Sequence, residues 1–247
     1  MWTTPCLHRT RRASAFRTLG LTSVLSMYVD EPLWPVPTEA TWEFAETFTP
    51  ETDAIVEARQ RAEELGVTAV SPAAGSALRL LAAMTHARNI VEIGTGTGVT
   101  ALWMLQGLRL DGQLTSIDVE GEHHRIAREI LANVDVPTPR VRLISGRPSD
   151  ILPRLEDAAY DLVLLNAEPS ALNPLLDQSL RLLRRGGIFA VSNIFGDNKV
   201  GDPAQRDPAT VARRLFSHRV ADDERLLSSV LVVGDGVLVG VHLPPEE

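Results

Sequence analysis

The feature that most constrains this chain is the alternation that begins at residue 51, where short apolar runs of strand length take turns with stretches of helical periodicity. Pro50 precedes a helix expected over 52–65, closed by Gly66, since glycine accepts the left-handed conformation at a helix end. Ser71-Pro72 is a cap-and-start signal for a second helix, about 73–86, with Leu78, Leu81, Ala82 and Met84 on one face. The pattern then predicts strand 89–93, a helix from about 98 to 109, strand 113–118, helix 121–133, strand 140–145, helix 149–156, strand 160–165, helix 171–184 and strand 187–192. Strands separated by helices pair in parallel through right-handed crossovers, giving a layered α/β sheet. The last two apolar runs, 226–233 and 237–243, are joined by Gly234-Asp235-Gly236, which reads as a hairpin. The expected architecture is an α/β, doubly wound, seven-stranded sheet, mostly parallel, with a C-terminal antiparallel hairpin and helices on both faces.

The first strand runs into Gly94-Thr95-Gly96-Thr97-Gly98. Glycines at a strand-to-helix turn let the backbone bend tightly and approach a ligand closely. A G-x-G-x-x-G dinucleotide loop needs a small residue at 99, where this chain has Val99; the spacing is G-x-G-x-G, with Glu92 two residues before the first glycine. An acid there favours a ligand carrying an ammonium group over a pyrophosphate. Asp118 ends the second strand, 20 residues after Gly98, where an acid in this kind of fold accepts hydrogen bonds from ribose hydroxyls. Loop, Glu92 and Asp118 together point to a nucleoside ligand; the bland alternative is a plain turn and a solvated strand end.

Composition narrows the field further. A hydrophobic share of 44% is too high for a disordered chain, and a net charge of −8 argues against a generally basic nucleic-acid-binding surface. The single cysteine, Cys6, excludes an intramolecular disulfide framework and a multi-cysteine zinc site. There are 23 arginines and one lysine, so any mechanism that needs a lysine must use Lys199. The six histidines show no metal-ligand spacing: His8 and His242 are terminal, His86 ends a helix, His123 and His124 begin one beside Asp118, and His218 sits on a charged amphipathic helix with Arg213, Arg214 and Arg219.

Residues 1–49 read as an N-terminal extension, partly disordered, ahead of one domain over 50–247. Arg9, Arg11, Arg12 and Arg17 precede a mildly apolar run from Leu19 to Val29. Gly20, Thr22, Ser23 and Ser26 interrupt that run and no small-residue cleavage site follows, so a tail, or a start at Met27, is expected rather than an export signal. Trp34, Trp42, Phe44 and Phe48 are too apolar for a plain linker and are expected to lie on the domain or on a partner subunit.

VEIGTGTGVTALWML, from Val91, resembles motif I of class I S-adenosylmethionine-dependent methyltransferases, which have a Rossmann-like sheet. More narrowly, 50–243 resembles the bacterial O-methyltransferases of catechol and caffeoyl-CoA type, through Val70-Ser71-Pro72, QLTSIDVEGEHHRIAREIL at 113–131, ISGRPSDILPRL at 144–155, YDLVLLNAEP at 160–169, LLRRGGIFAVSN at 182–193 and GDGVLVGV at 234–241. The resemblance implies S-adenosylmethionine as cofactor and a small-molecule hydroxyl as acceptor. It implies that Val70 lines the methionine end, that Gly94, Thr95 and Gly96 face the methionine portion, and that Thr100 hydrogen-bonds near it. Glu92 is expected to act through the loop amides, Asp118 to hold the ribose with Val119 beside it, and Gly146, Arg147 and Pro148 to pack the adenine, with Asn166 at the end of the fourth strand. Many relatives have an acid at 147, so Arg147 is a departure. Relatives usually form homodimers, and a cytoplasmic, membrane-free protein is expected.

The acceptor half departs more. In metal-dependent members the fourth strand ends in an aspartate ligand, a lysine three residues on helps deprotonate the substrate, and the fifth strand ends in Asp-Asn. This chain has Asn166, Pro169 and Ser192 at those places, and only Asn193 remains. Magnesium prefers an oxygen shell that includes one or two carboxylates; here two anionic ligands are replaced by neutral groups, and Glu168 is two residues out of register. No metal site is therefore expected, and the candidates for catalytic contact are Asn166, Asn193 and Lys199. Two readings follow: a metal-independent methyltransferase, or a non-catalytic S-adenosylmethionine-binding protein. A third, a nicotinamide dehydrogenase, is opposed by Val99 and the terminal hairpin.

Overall fold

The computed structural model describes residues 35–134 and 140–244. Expectations for the arginine-bearing start, Met27 and Trp34 lie outside the described residues. The chain divides into two units, 1–42 and 43–247. In the first, Thr38 Oγ1 accepts from the Thr41 amide at 3.3 Å, a cap for helix α1 (Glu39–Thr47), which continues into the second unit. Part of the expected extension is thus helical.

The second unit contains the alternation read from sequence. After α2 (Asp53–Leu65) and α3 (Pro72–Met84) come β1 (Asn89–Ile93), α4 (Val99–Gly107), β2 (Gln113–Asp118), α5 (Gly121–Ala132), β3 (Val141–Ser145), the short α6 (Pro148–Ile151), β4 (Tyr160–Leu165), α7 (Pro169–Leu182), β5 (Leu183–Ser192), α8 (Pro208–Ala221), β6 (Leu226–Leu231) and β7 (Val237–His242). The sheet order is β3-β2-β1-β4-β5-β7-β6. β1 to β5 are parallel; β7 runs antiparallel to both β5 and β6.

Local chemistry explains the boundaries. The Ser71 hydroxyl caps α3 by accepting from the Ala74 amide at 3.3 Å, and Glu46 accepts from both the Ser71 hydroxyl and the Ala73 amide at 2.9 Å, where the free amides of a helix start favour an anion. Gly66 ends α2 at φ 68. The helix expected over 149–156 is shorter, because Pro153 lacks an amide donor; the chain tightens into a 3-10 turn at Leu152–Arg154. β5 begins four residues earlier than expected. Leu183 pairs with Tyr160 and Ile188 with Leu162, so a bulge absorbs the extra residues, with Gly186 at φ 76.

Strand residues alternate between two cores. Ile90, Leu162, Leu164 and Ala190 face a layer with Ile55, Leu78, Trp103 and Ile130 from α2 to α5. Val91, Val163, Leu165 and Phe189 face Leu172, Leu176, Phe216 and Val220 from α7 and α8. Fully buried strands covered on both faces are what a parallel sheet requires. Gly75 lets α3 approach α4 closely: a Cβ there would lie 2.3 Å from the Trp103 ring. At the amino edge of the sheet, Asp161 accepts from the Arg88 and Asn89 amides at 2.7 and 2.8 Å and from Arg184 Nε at 2.6 Å, tying three strand ends together. At the opposite, carboxyl edge, the chain leaves β1 toward one side of the sheet and β4 toward the other. A crevice opens at such a divergence, where ligands of doubly wound folds bind.

Candidate active site

The loop after β1 is shaped by Gly94, Gly96 and Gly98 at φ 94, 51 and 96, positive values that favour glycine. At Gly94 a Cβ would lie 1.9 Å from the Asn166 carbonyl oxygen, so the loop presses directly on the end of β4. The Asn166 side chain donates from Nδ2 to the Gly94 carbonyl at 3.3 Å. Beside this contact lies a shallow cleft lined by Ala62, Val67, Val70, Gly96, Thr100 and Asn166, among others. Arg59 holds one wall in place: it is clamped by Glu51 and donates to the Val70 carbonyl at 2.7 Å.

Two acids organise the other side. Asp118 is nearly buried at the end of β2. Its Oδ2 accepts from the Gly96 amide at 3.0 Å and stands 3.1 Å from His123 Nδ1, and its Oδ1 accepts from the Glu120 amide at 2.9 Å. Each carboxylate oxygen can accept two bonds, so Oδ1 keeps capacity for a further donor. Glu92 is fully buried under the loop. It accepts from the Thr100 hydroxyl and, at 2.5 Å, from the Ser116 hydroxyl. Burial pushes its carboxyl up to about 7, against the lowering effect of the two hydroxyl bonds.

The expectation that Glu92 works through the loop amides is therefore corrected: its two oxygens are engaged by hydroxyls, and the acid that takes a loop amide is Asp118. Of the residues assigned from sequence, Val70, Thr95, Gly96, Thr100 and Asn166 line one cleft. Gly94 adjoins it. Val119 is exposed next to Asp118. Gly146 donates its amide to the Asp118 carbonyl at 2.9 Å, placing it, with the exposed Arg147 and with Pro148, at the adjoining end of β3. Sequence reasoning did not single out Ser116, Arg59 or Ser145, and it read His124 only as a polar helix start. His124 is instead buried, with Nε2 3.0 Å from Thr95 Oγ1 and Nδ1 2.7 Å from Ser145 Oγ. A serine in the middle of an apolar strand was the available signal for Ser116.

The acceptor side is neutral. Ser192, at the end of β5, donates to Asn166 Oδ1 at 2.9 Å, so the two residues standing at the relatives' aspartate positions bond each other. Asn193 follows at φ 53, its carbonyl accepting from Arg213 Nε at 3.2 Å. Lys199 is half exposed and 3.6 Å from Asp197. Neither lines the cleft. Among the described residues no group of three or more His, Cys, Asp or Glu could hold a metal ion. The donor set at 166 and 192, uncharged and already hydrogen-bonded, does not fit a divalent cation.

Comparison with known proteins agrees with this geometry. Residues 49–243 match the sequence pattern of the family described as O-methyltransferase. A protein of Mycobacterium tuberculosis (strain H37Rv) described as a probable O-methyltransferase is 42% identical over 215 residues, covering 86% of this chain and 96% of that one. The crystal structure of the O-methyltransferase TomG of Streptomyces achromogenes, in complex with S-adenosylmethionine, superposes with a TM-score of 0.73 at 28% identity, covering 85% of this chain and 100% of that one. An O-methyltransferase of Bacillus cereus in complex with S-adenosylhomocysteine gives 0.71 at 25% identity, with 82% and 99% covered.

Proposed function

The chain belongs to the O-methyltransferase family, and from that premise we propose that it transfers the methyl group of S-adenosylmethionine to a hydroxyl of a small molecule without a catalytic metal ion. The observation that carries the reading is Asp118: an acid at the end of the second strand that accepts from the amide of Gly96, a residue lining the glycine-loop cleft. When bound, S-adenosylmethionine supplies an electrophilic methyl group on a sulfonium.

The chain's own residues bind and orient. Oδ1 of Asp118 accepts from a ribose hydroxyl. Thr100 gives its proton to Glu92 and so keeps its oxygen lone pairs to accept from an ammonium, relaying the buried charge to the cleft. Val119, Gly146, Arg147 and Pro148 border the adenine end, and Gly94, Thr95 and Gly96 the methionine end. Methyl transfer is an in-line displacement, and holding the acceptor oxygen in line contributes several kcal/mol by positioning alone. With neutral, mutually bonded Asn166 and Ser192 there is no ion to lower a hydroxyl pKa, so the fitting acceptor is one that ionises readily, such as a phenol. The asymmetry of a complete cofactor half and an altered acceptor half gives no separate support to a non-catalytic role.

The reading also takes the protein as a cytoplasmic homodimer. The dimer is supported by Phe44 in α1 and Phe48 just beyond it, both exposed with ring centroids 5.8 Å apart; the cytoplasmic placement rests on the sequence. Among the described residues, no helix is long and apolar enough to cross a membrane. The test is transfer of labelled methyl to phenol and catechol acceptors, with EDTA and with magnesium. Turnover in EDTA is expected; strict magnesium dependence overturns the metal-free reading.

A further inference from the structure

Beneath the glycine loop runs a file of polar groups that methyl transfer does not itself require. It crosses three adjacent strands: Glu92 on β1, Ser116 on β2, Thr95 in the loop, His124 in the first turn of α5 and Ser145 at the end of β3. Glu92, Ser116, Thr95 and His124 are all buried. With the Glu92 carboxyl ionised, above about pH 7, the order of donors follows from counting protons. Ser116 donates its single hydroxyl proton to Glu92. The 2.6 Å contact between the Ser116 and Thr95 hydroxyls must then run from Thr95 to Ser116. With its proton committed, Thr95 Oγ1 accepts from His124 Nε2, so Nε2 carries the hydrogen. Nδ1 of the neutral ring then accepts from Ser145 Oγ. Burial holds this imidazole below the ordinary histidine range, which keeps it neutral.

The loop needs such an anchor. Three glycines leave its backbone conformationally permissive. Its side-chain tethers include Thr97, whose hydroxyl donates to the Ala58 carbonyl at 2.7 Å, Asp118, which takes the Gly96 amide, Asn166, which donates to the Gly94 carbonyl from the cleft wall, and Thr95. Asp118 must also serve the ligand. The Thr95 tether draws on Ser116 and His124, buried groups that do not line the cleft.

The geometry points to His124 as a positioning residue for the cofactor: its Nε2–H fixes the Thr95 hydroxyl, and with it the path of the Gly94–Gly98 loop that receives S-adenosylmethionine, while Ser145 fixes the ring. This rests on the cofactor reading above. Asp118 is the binding contact; His124 acts only through Thr95.

The test is calorimetric titration of S-adenosylhomocysteine into the full-length protein and into His124→Phe, His124→Gln, Thr95→Val and Ser145→Ala. His124→Phe is expected to raise Kd about tenfold, and His124→Gln, whose amide can still donate to Thr95, only about twofold. In a Thr95→Val background, His124→Phe should add nothing, because both changes break one link. Long-range 15N–1H spectra should show a neutral His124 ring with hydrogen on Nε2. If His124→Phe does not fold, Ser145→Ala carries the cycle: about threefold weaker alone, and without effect beside Thr95→Val. Wild-type protein that fails to bind overturns the cofactor reading. Wild-type binding with every variant within twofold, multiplicative penalties in the cycle, or hydrogen on Nδ1 overturns the role of His124 alone.

Discussion

The two halves of the sheet's carboxyl edge are built from opposite chemistry. β1 and β2 carry acids near their carboxyl ends: Glu92, next to last in β1, is buried and Asp118, last in β2, nearly so, each held by named donors. Just past β4 and at the end of β5 stand Asn166 and Ser192, neutral and bonded to each other. One half keeps charge in a place where charge is expensive; the other has none. Burying a carboxylate is costly unless hydrogen bonds compensate it, so the acid-bearing half spends stability on its charged groups, and the neutral half, with Asn166 and Ser192 bonded to each other, does not.

The largest expected effect comes from Glu92. Its carboxyl stands at about 7 in the folded protein against 4.5 ordinarily. The folded state therefore binds the proton more tightly than the unfolded chain, and this contribution is full below pH 4.5 and is lost as pH rises through 7. The loss is roughly 3 kcal/mol. Glu92→Gln should remove that slope, so the difference between wild-type and variant stability, measured by denaturant unfolding from pH 4 to 8, should grow in the variant's favour across this window. A flat difference would mean that Glu92 is not held where it is costly.

Next is Asp118→Ala, which should weaken S-adenosylmethionine binding by roughly 1–3 kcal/mol, the cost of leaving donors without their acceptor. Unchanged affinity would place the ribose elsewhere and dissolve the contrast between the halves. On the neutral side, Asn166→Ala removes one bond to Gly94 and one from Ser192, and thermal unfolding should register about 1 kcal/mol of lost stability. The smallest effect is expected from Lys199→Ala. Lys199 is half exposed beside Asp197, and methylation rates should stay within about twofold, as for a solvated surface ion pair. A loss of activity well beyond that would make Lys199 the base and sharpen the acceptor half into a working site.

Much of this was legible in the residue order. The bounds of β1, β2 and β4 follow from apolar runs of strand length, because a buried parallel strand has little else to signal. α6 and β5 were misjudged where a single residue type redirects the backbone: Pro153 ends a helix that periodicity would extend, and Gly186 permits a bulge that pattern alone does not announce. The same division holds at the site. Gly94, Gly96 and Asp118 have fixed spacing along the chain, so sequence can find them. The Glu92–Ser116–Thr95–His124–Ser145 file joins residues from four separate elements and the loop after β1, and nothing in linear order says that a loop threonine meets both a mid-strand serine and a histidine of a later helix. Glu92 was recognised as important for the wrong contact: its distance from the glycines suggested the loop amides, whereas strand geometry turns it to Ser116 and Thr100.

The central claim, a cofactor site that is complete without an ion, is tested most directly by titrating S-adenosylmethionine into EDTA-treated full-length protein in a calorimeter. Saturable binding at one site per chain, unchanged when magnesium is restored, is the predicted result. No heat at ligand concentrations on the order of millimolar, or binding that appears only with magnesium, would contradict it.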